Sequence, residues 1–353
     1  MNQTKRLLHE CFVNFPELAP QDAVKFLYQR FMGPGHLISD EEAAAARLRE
    51  EWNEVNSDDT APLSTPLGGG LCRLHLRRCK ALGLSPDTVA RLFVLTAQRV
   101  YPDRSGLEQA LELIRSLPFP PEEVNEYLQE YRAQGCPMVS HSDHFRSRYS
   151  PAYRIVSECY VNVIPVLAAI ERTMRDTPKL RVAIDGPCAS GKSTLGEVLA
   201  QIYGCPVIHM DDFFLRPEQR TPERLAQLGG NIDYERFSRE VLSPLLAGQE
   251  VSYRPWSCQR ESFDRPVRIP PTPLTVVEGC YSLRKDLRHA YQLRIWAHAD
   301  WDSRKRRLLA RGGEECLDRF EQLWIPLEDR YFQEMKVRDC CQLSIDLSDK
   351  TTL

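Results

Sequence analysis

Apolar positions recur at three- and four-residue spacing through the first half of the chain and contract into short continuous runs in the second. The helical period is present near Gln21 to Phe31, Glu41 to Val55, Pro86 to Arg99, Leu107 to Leu117, Glu122 to Gln134 and Pro151 to Met174, which predicts six helices. Ser150 followed by Pro151 reads as an N-cap with proline at the first helical position. No convincing strand alternation interrupts these stretches, so residues 1–174 are expected to form a separate, mainly α-helical domain. The polar run Arg175 to Lys179, with Pro178, reads as a linker.

Beyond it, Val182 to Ile184, Pro206 to Met210, Leu274 to Val277, Leu293 to Ala297 and Leu343 to Ile345 are apolar runs of strand length. Helical patterns lie between them near Thr194 to Tyr203, Tyr234 to Leu246, Ser303 to Arg311 and Leu317 to Lys336. Continuous apolar strands alternating with helices predict a parallel sheet covered on both faces, an α/β sandwich over residues 180–353. The chain carries no internal repeat and no low-complexity segment.

The junction of the first such strand and helix carries the strongest chemical signal. Arg181 to Asp185 leads into Gly186-Pro187-Cys188-Ala189-Ser190-Gly191-Lys192-Ser193-Thr194, a complete phosphate-binding loop. Its glycines let backbone N–H groups turn inward around phosphates, Lys192 can reach the terminal phosphate oxygens, and the Ser193 hydroxyl can ligate Mg²⁺. The following helix directs its N-terminus at the same charge. The expected cofactors are therefore ATP and Mg²⁺ on a P-loop NTPase fold.

Composition narrows the partners. A length of 353 residues accommodates two cores, and a formal charge of -3 gives no global attraction to nucleic acid. With no long apolar span and no signal peptide, neither a nucleic-acid nor a membrane partner is expected; the expected partner is a small-molecule substrate. The 12 cysteines are scattered without paired spacing, which suits a reduced cytoplasmic protein in which Cys188, Cys340 and Cys341 are packing residues.

Three further segments separate a kinase from other users of a triphosphate. Val207-Ile208-His209-Met210-Asp211-Asp212 places acids at the carboxyl end of the second strand, where open α/β sheets bind ligands, and one well-placed base beside the γ-phosphate is what phosphoryl transfer to a hydroxyl requires. Asp211 is the candidate for that base, with Asp212 beside it toward the substrate. Thr275-Val276-Val277-Glu278 is an apolar strand ending in a carboxylate suited to Mg²⁺ or its water shell. Arg304, Arg307 and Arg311 share one helix face; Arg304 and Arg307 are expected to stabilise charge during transfer and Arg311 to hold nucleotide.

Together these segments, from about Leu180 to Asp346, resemble the uridine kinase-like family of P-loop kinases, which includes uridine-cytidine, nicotinamide riboside and pantothenate kinases and phosphoribulokinase. The stretch Val207 to Phe214 is especially similar to nicotinamide riboside kinase. The resemblance implies that Asp211 is the catalytic acid, that Glu278 is the magnesium-associated carboxylate, and that Asp233, in Asn231-Ile232-Asp233-Tyr234, contacts ribose hydroxyls. It also implies aromatic contacts to substrate from Tyr253 and Trp256. The expected activity is transfer of the ATP γ-phosphate to a hydroxyl of a nucleoside or ribose-like metabolite. The phosphate loop alone also looks like cytidylate kinase, which leaves a nucleoside monophosphate kinase as the alternative. A nucleotide-dependent sensor or adaptor is the alternative from a different class.

The first half has two patches rich in site-like residues. Gly33-Pro34-Gly35-His36 ends one helix, and His141 to Tyr149, with Arg146 and Arg148, runs into Pro151-Ala152-Tyr153-Arg154. Such a gathering suits an anionic ligand, against the plainer reading of a capping loop with a solvated basic rim. Gly68-Gly69-Gly70 would permit close backbone approach. A metal site from His36, His141 and His144 lacks a recognised ligand spacing.

Overall fold

The structure is a computed structural model and describes residues 2–35 and 40–348. The chain forms two compact units, Met1–Val161 and Asn162–Leu353. The division falls inside one helix, α9 (Glu158–Asp176), so the segment 175–179 closes that helix within the second unit and does not separate the two. The reason is the apolar second half of α9: Val163, Ile164, Val166, Leu167 and Ile170 are fully buried, and the Leu167 carbonyl accepts from the Tyr203 hydroxyl at 3.5 Å.

The first unit is mainly helical and also holds a three-stranded antiparallel sheet that the sequence pattern does not predict. Strands β1 (Ser64–Gly68), β2 (Leu71–His75) and β3 (Tyr153–Ser157) lie in that order. Strand β2 is central and covered, with Leu71 to Leu74 all buried. That removes the inside–outside alternation by which a strand is recognised from sequence. Strand β3 occupies what reads as the start of a helix, and the turn before it differs as well. Ser150 adopts φ +42° and ends helix α8 (Asp143–Tyr149) rather than capping the next one. The hairpin turn Gly68 to Gly70 is met closely by a side chain, since Arg30 Nη1 donates to the Leu67 carbonyl at 3.2 Å. Helix α2 (Pro20–Met32) is buried along most of its length and supplies Phe26 and Leu27 to a core shared with Leu8, Leu67, Ile114, Leu128 and Phe145. His36 lies outside the described residues.

The second unit is built on a five-stranded parallel sheet. Strands β4 (Leu180–Asp185), β5 (Val207–His209), β6 (Leu274–Glu278), β7 (Leu293–His298) and β8 (Leu343–Asp346) take the order β8-β7-β4-β6-β5. Each corresponds to one of the apolar runs in the sequence, and Val182, Ala183 and Ile184 are fully buried, as burial on both faces requires. Helix α10 (Lys192–Tyr203) follows β4 directly. Register sets the chemistry: Glu278 pairs with His209 across β6 and β5, and with Ile184 across β6 and β4. Two carboxyl ends and the phosphate loop are thereby brought to one edge of the sheet.

Two helical segments near that edge are irregular. Helix α11 (Trp301–Arg319) is broken at Gly312 and Gly313, where Gly313 takes φ +67°. A π turn at Phe320–Trp324 then joins it to helix α12 (Ile325–Met335). This redirection carries α12 back over the phosphate loop, which the sequence pattern alone does not show.

Candidate active site

The loop between β4 and α10 is held from both sides. Gly186 takes φ +152°, and a Cβ there would lie 1.9 Å from the Ala297 carbonyl oxygen, so only glycine fits. Asp185, fully buried, accepts from the Gly186 N–H at 2.7 Å, the Leu283 N–H at 2.9 Å and the Tyr331 hydroxyl at 2.8 Å. Burial raises its pKa to about 6 against the opposing pull of those donors and Lys192. Lys192 donates from Nζ to the Pro187 carbonyl at 2.8 Å. Burial disfavours its ammonium, but the acidic groups around it, Cys280, Glu328, Glu278 and Asp185, hold its pKa above the ordinary lysine value. Lys192 therefore carries a firm positive charge at the head of the loop.

The acids at the sheet edge face the same space. Asp211, in the single turn Met210–Phe213 after β5, opens onto the cleft. Protein packed around the cleft and the neighbouring Glu278 charge raise its pKa, while Lys192, His209 and Arg311 pull it down. A carboxylate tuned upward is a better proton acceptor than a solvated one. Glu278, buried at the end of β6, accepts from His209 Nδ1 at 2.5 Å. That bond, ahead of the opposing effect of burial, raises the His209 pKa. His209 is thus a partner of Glu278 that the sequence pattern gives no means of assigning.

Two of the three arginines on that helix face pack against the phosphate loop. Arg304 donates from Nε to the Cys188 carbonyl at 2.9 Å, and Arg307 donates from Nη1 to the Ala189 carbonyl at 3.1 Å and from Nη2 to the Leu347 carbonyl at 2.6 Å. Both clamp the outer carbonyls of the phosphate loop and so orient its N–H groups toward the cleft. Arg307 and Arg311 line the cleft itself; Arg304 stands behind the loop. The third loop support is Glu328 on α12, which accepts from the Cys188 N–H at 2.8 Å. Burial raises its pKa, opposed by Lys192.

The cleft encloses about 980 Å³. Cys188, Ala189, Gly191, Lys192, Ser193, Thr194, Asp211, Glu278, Arg307 and Arg311 all contribute to its wall. Gly186, Pro187 and Ser190 shape the loop from behind. The structure does not bring Asp212, Asp233, Tyr253 or Trp256 to that wall. Asp212 accepts from the Tyr253 hydroxyl at 3.0 Å, and Tyr253 packs on Phe213. Asp233 caps a helix by accepting from the Arg236 N–H at 3.0 Å, and its other oxygen accepts from Gln219 at 2.9 Å. Trp256 packs edge-on against Phe263 in a short hairpin. In their place the wall carries Phe214, Arg220, Asn231, Cys258 and Trp324. The Asn231 side-chain nitrogen is buried without a hydrogen-bond partner among the described residues. Phe214 and Asn231 lie within stretches already singled out in the sequence; Arg220 and Cys258 left no such trace, and Trp324 is placed by the break in α11.

All twelve cysteines are free thiols, and among the described residues no helix is long and apolar enough to cross a membrane. No family model and no curated relative matches the chain. Solved structures similar to it cover about half its length. One, from Bacillus stearothermophilus and described as a possible uridine kinase, is 19% identical over 50% of this chain and 97% of its own, with a TM-score of 0.39. A provisionally assigned fructose transport system kinase from Silicibacter sp. TM1040 is 22% identical over 47% of this chain and 89% of its own, TM-score 0.40. Shikimate kinase from Bacteroides thetaiotaomicron is 15% identical over 47% and 85%, TM-score 0.24. By its own strand order and phosphate loop, the Asn162–Leu353 unit is a P-loop NTPase sandwich.

Proposed function

We propose that this unit is an ATP- and Mg²⁺-dependent kinase that phosphorylates a hydroxyl of a small polar metabolite, a nucleoside or other ribose-like compound. The observation that carries the reading is the convergence of Lys192, Ser193, Glu278 and Asp211 on one cleft. The loop amides and Lys192 bind and orient the triphosphate, and Arg304 and Arg307 keep those amides pointed inward. Asp211 receives the proton of the acceptor hydroxyl as its oxygen attacks. Asn231 and Arg220 are placed to hold the acceptor, the former through its unpartnered amide nitrogen.

The residues present fit a magnesium ion delivered with the nucleotide. Among the described residues no group of three or more His, Cys, Asp or Glu side chains is arranged to hold a metal alone. Mg²⁺ in phosphoryl transfer is held by phosphates, water and one or two protein oxygens, and Ser193 and Glu278 offer that number. Bound there, Mg²⁺ supplies charge neutralisation on the phosphates. Glu278 is already held in place by its bond to His209.

The test is ADP formation by the purified chain against a panel of nucleosides, sugars and vitamin precursors, with the phosphorylated product identified by mass. Acceptor-dependent turnover that disappears in Lys192→Ala is the expected result. ATP binding with no acceptor turnover across the panel would refute it and favour a nucleotide sensor.

A further inference from the structure

The basic residues of the first unit fall into two groups when their partners are compared. His144 and Arg148 both bond Glu17, at 2.8 and 2.9 Å, and Arg154 bonds Glu51 at 2.7 Å. These are paired surface charges. Lys25, Arg77 and Arg146 are different: each donates only to backbone carbonyls, of Val139 at 3.3 Å, of Ser150 at 3.5 Å and of His141 at 2.9 Å respectively. None of the three forms an ion pair among the described residues, and they come from α2, from the short helix Leu76–Ala81 and from α8. All three line one pocket of about 450 Å³, together with His141, Glu51 and Glu54. With Glu51 engaged by Arg154, three cations face one remaining carboxylate.

Behind His141, which lines this pocket, runs a chain of buried polar groups. Arg73 Nε donates to Gln29 at 2.9 Å, Gln29 donates to the Tyr153 hydroxyl at 3.0 Å, Tyr153 donates to His141 Nε2 at 2.7 Å, and His141 Nδ1 donates to Asp22 at 2.8 Å. Ser142 adds two bonds to Asp22, at 3.0 and 2.7 Å. His141 is stacked on Phe145 with ring centroids 4.2 Å apart. A chain of groups satisfied at each of these steps is rigid, and it fixes the His141 carbonyl that orients Arg146. Burial, followed by the charges of Arg73 and Arg146, brings the Lys25 pKa down to about 8. Converging cations beside a rigid support, without carboxylate partners, make a receptor for anionic oxygen.

We propose that the Met1–Val161 unit carries its own binding site for a small organic anion, whose phosphate or carboxylate group is held by Lys25, Arg77 and Arg146. The pocket is larger than an inorganic anion, and Glu54 is placed to meet a hydroxyl or amino group on the same molecule. This site is independent of the kinase reading, because every residue in it belongs to the other unit.

The test uses the full chain carrying Lys192→Ala, which weakens phosphate binding in the P-loop cleft, titrated calorimetrically with glycerol 3-phosphate and, separately, with succinate. The expected result is binding of at least one of them, weakened about tenfold or more by Lys25→Gln and by Arg146→Gln, the loss of one charged hydrogen bond each. Binding of one probe alone identifies the head group. No binding of either probe, or equal affinity in both variants, overturns the proposal. A second readout covers a variant that fails to fold. In the chain with only Lys192 replaced, acetylation of Lys25, followed by mass spectrometry, is slowed by the bound anion; unchanged acetylation at saturating probe also overturns it.

Discussion

The P-loop cleft and the pocket of the first unit are both gatherings of charge around a concave wall, yet they are built in opposite ways. In the cleft, the phosphate-facing groups come from one run, Gly186 to Thr194, whose geometry is set by the backbone itself. In the pocket, Lys25, Arg77 and Arg146 are brought together by tertiary packing from three separate helices. A contiguous loop that must turn its N–H groups inward constrains residue types at fixed spacing. A convergent pocket constrains only side-chain ends. Mutations in the first should therefore act on catalysis and backbone fit, and mutations in the second on affinity alone.

The largest expected effect is in the cleft. Asp211→Asn removes the proton acceptor while keeping shape, and turnover is expected to fall about 10²–10⁴-fold, with ATP affinity and anion binding in the first unit unchanged. Steady-state kinetics alongside nucleotide titration checks this; wild-type turnover in the variant would dismiss Asp211 as the base. Next is Gly186→Ala. The added Cβ meets the Ala297 carbonyl at 1.9 Å, so the loop must shift or strand β7 must give way. A cost of about 2–4 kcal/mol in urea unfolding and loss of nucleotide binding are expected. An alanine variant as stable and as tight-binding as wild type would show that the loop is more pliant than its contacts indicate.

A smaller effect is expected one layer out. Tyr331→Phe deletes the hydroxyl that donates to buried Asp185, a loss of about 1.5–3 kcal/mol for a bond to a charged group. The change reads as a lower unfolding midpoint with nucleotide contacts intact. A shift only in nucleotide affinity would instead place Tyr331 in the binding machinery.

How much of this was legible in the sequence follows the same division. The five strands of the sheet, the loop and the acids Asp211 and Glu278 could be read because burial on both faces and a backbone-defined motif leave residue patterns. The strand Leu71–His75 could not, because the buried Arg73 and the closing His75 interrupt the apolar run that marks a strand covered on both faces. Asp233 and Trp256 illustrate the converse: their types and positions suit a ligand, but helix capping and hairpin packing use those same types. Glu328 and His209 were invisible, since one depends on the break at Gly312 and Gly313 and the other on strand register. Similarly, nothing in the sequence of the first unit separates Arg146 from Arg148; only the position of Glu17 does.

The smallest expected effect distinguishes the units by the sign of their response to acid. His141, buried and neutral, has its pKa drawn down to about 4 by burial, against the upward pull of Asp22. The unfolded chain takes up that proton near pH 6.5, so the stability His141 contributes is complete above pH 6.5 and is lost as pH falls toward 4. Asp185 runs the other way. Its pKa of about 6 lies above the ordinary carboxyl value, so its contribution is complete below about pH 4 and is withdrawn as pH rises through 6. Each slope is at most about 1.4 kcal/mol per pH unit. Hydrogen exchange corrected for intrinsic rate, compared at pH 6.5 and pH 5, should therefore show α2 and the His141 segment losing protection while β4 holds or gains it. His141→Asn should flatten the first response and leave the second intact, whereas parallel loss of protection in both regions, unaltered by that substitution, would mean that neither buried group governs the acid response.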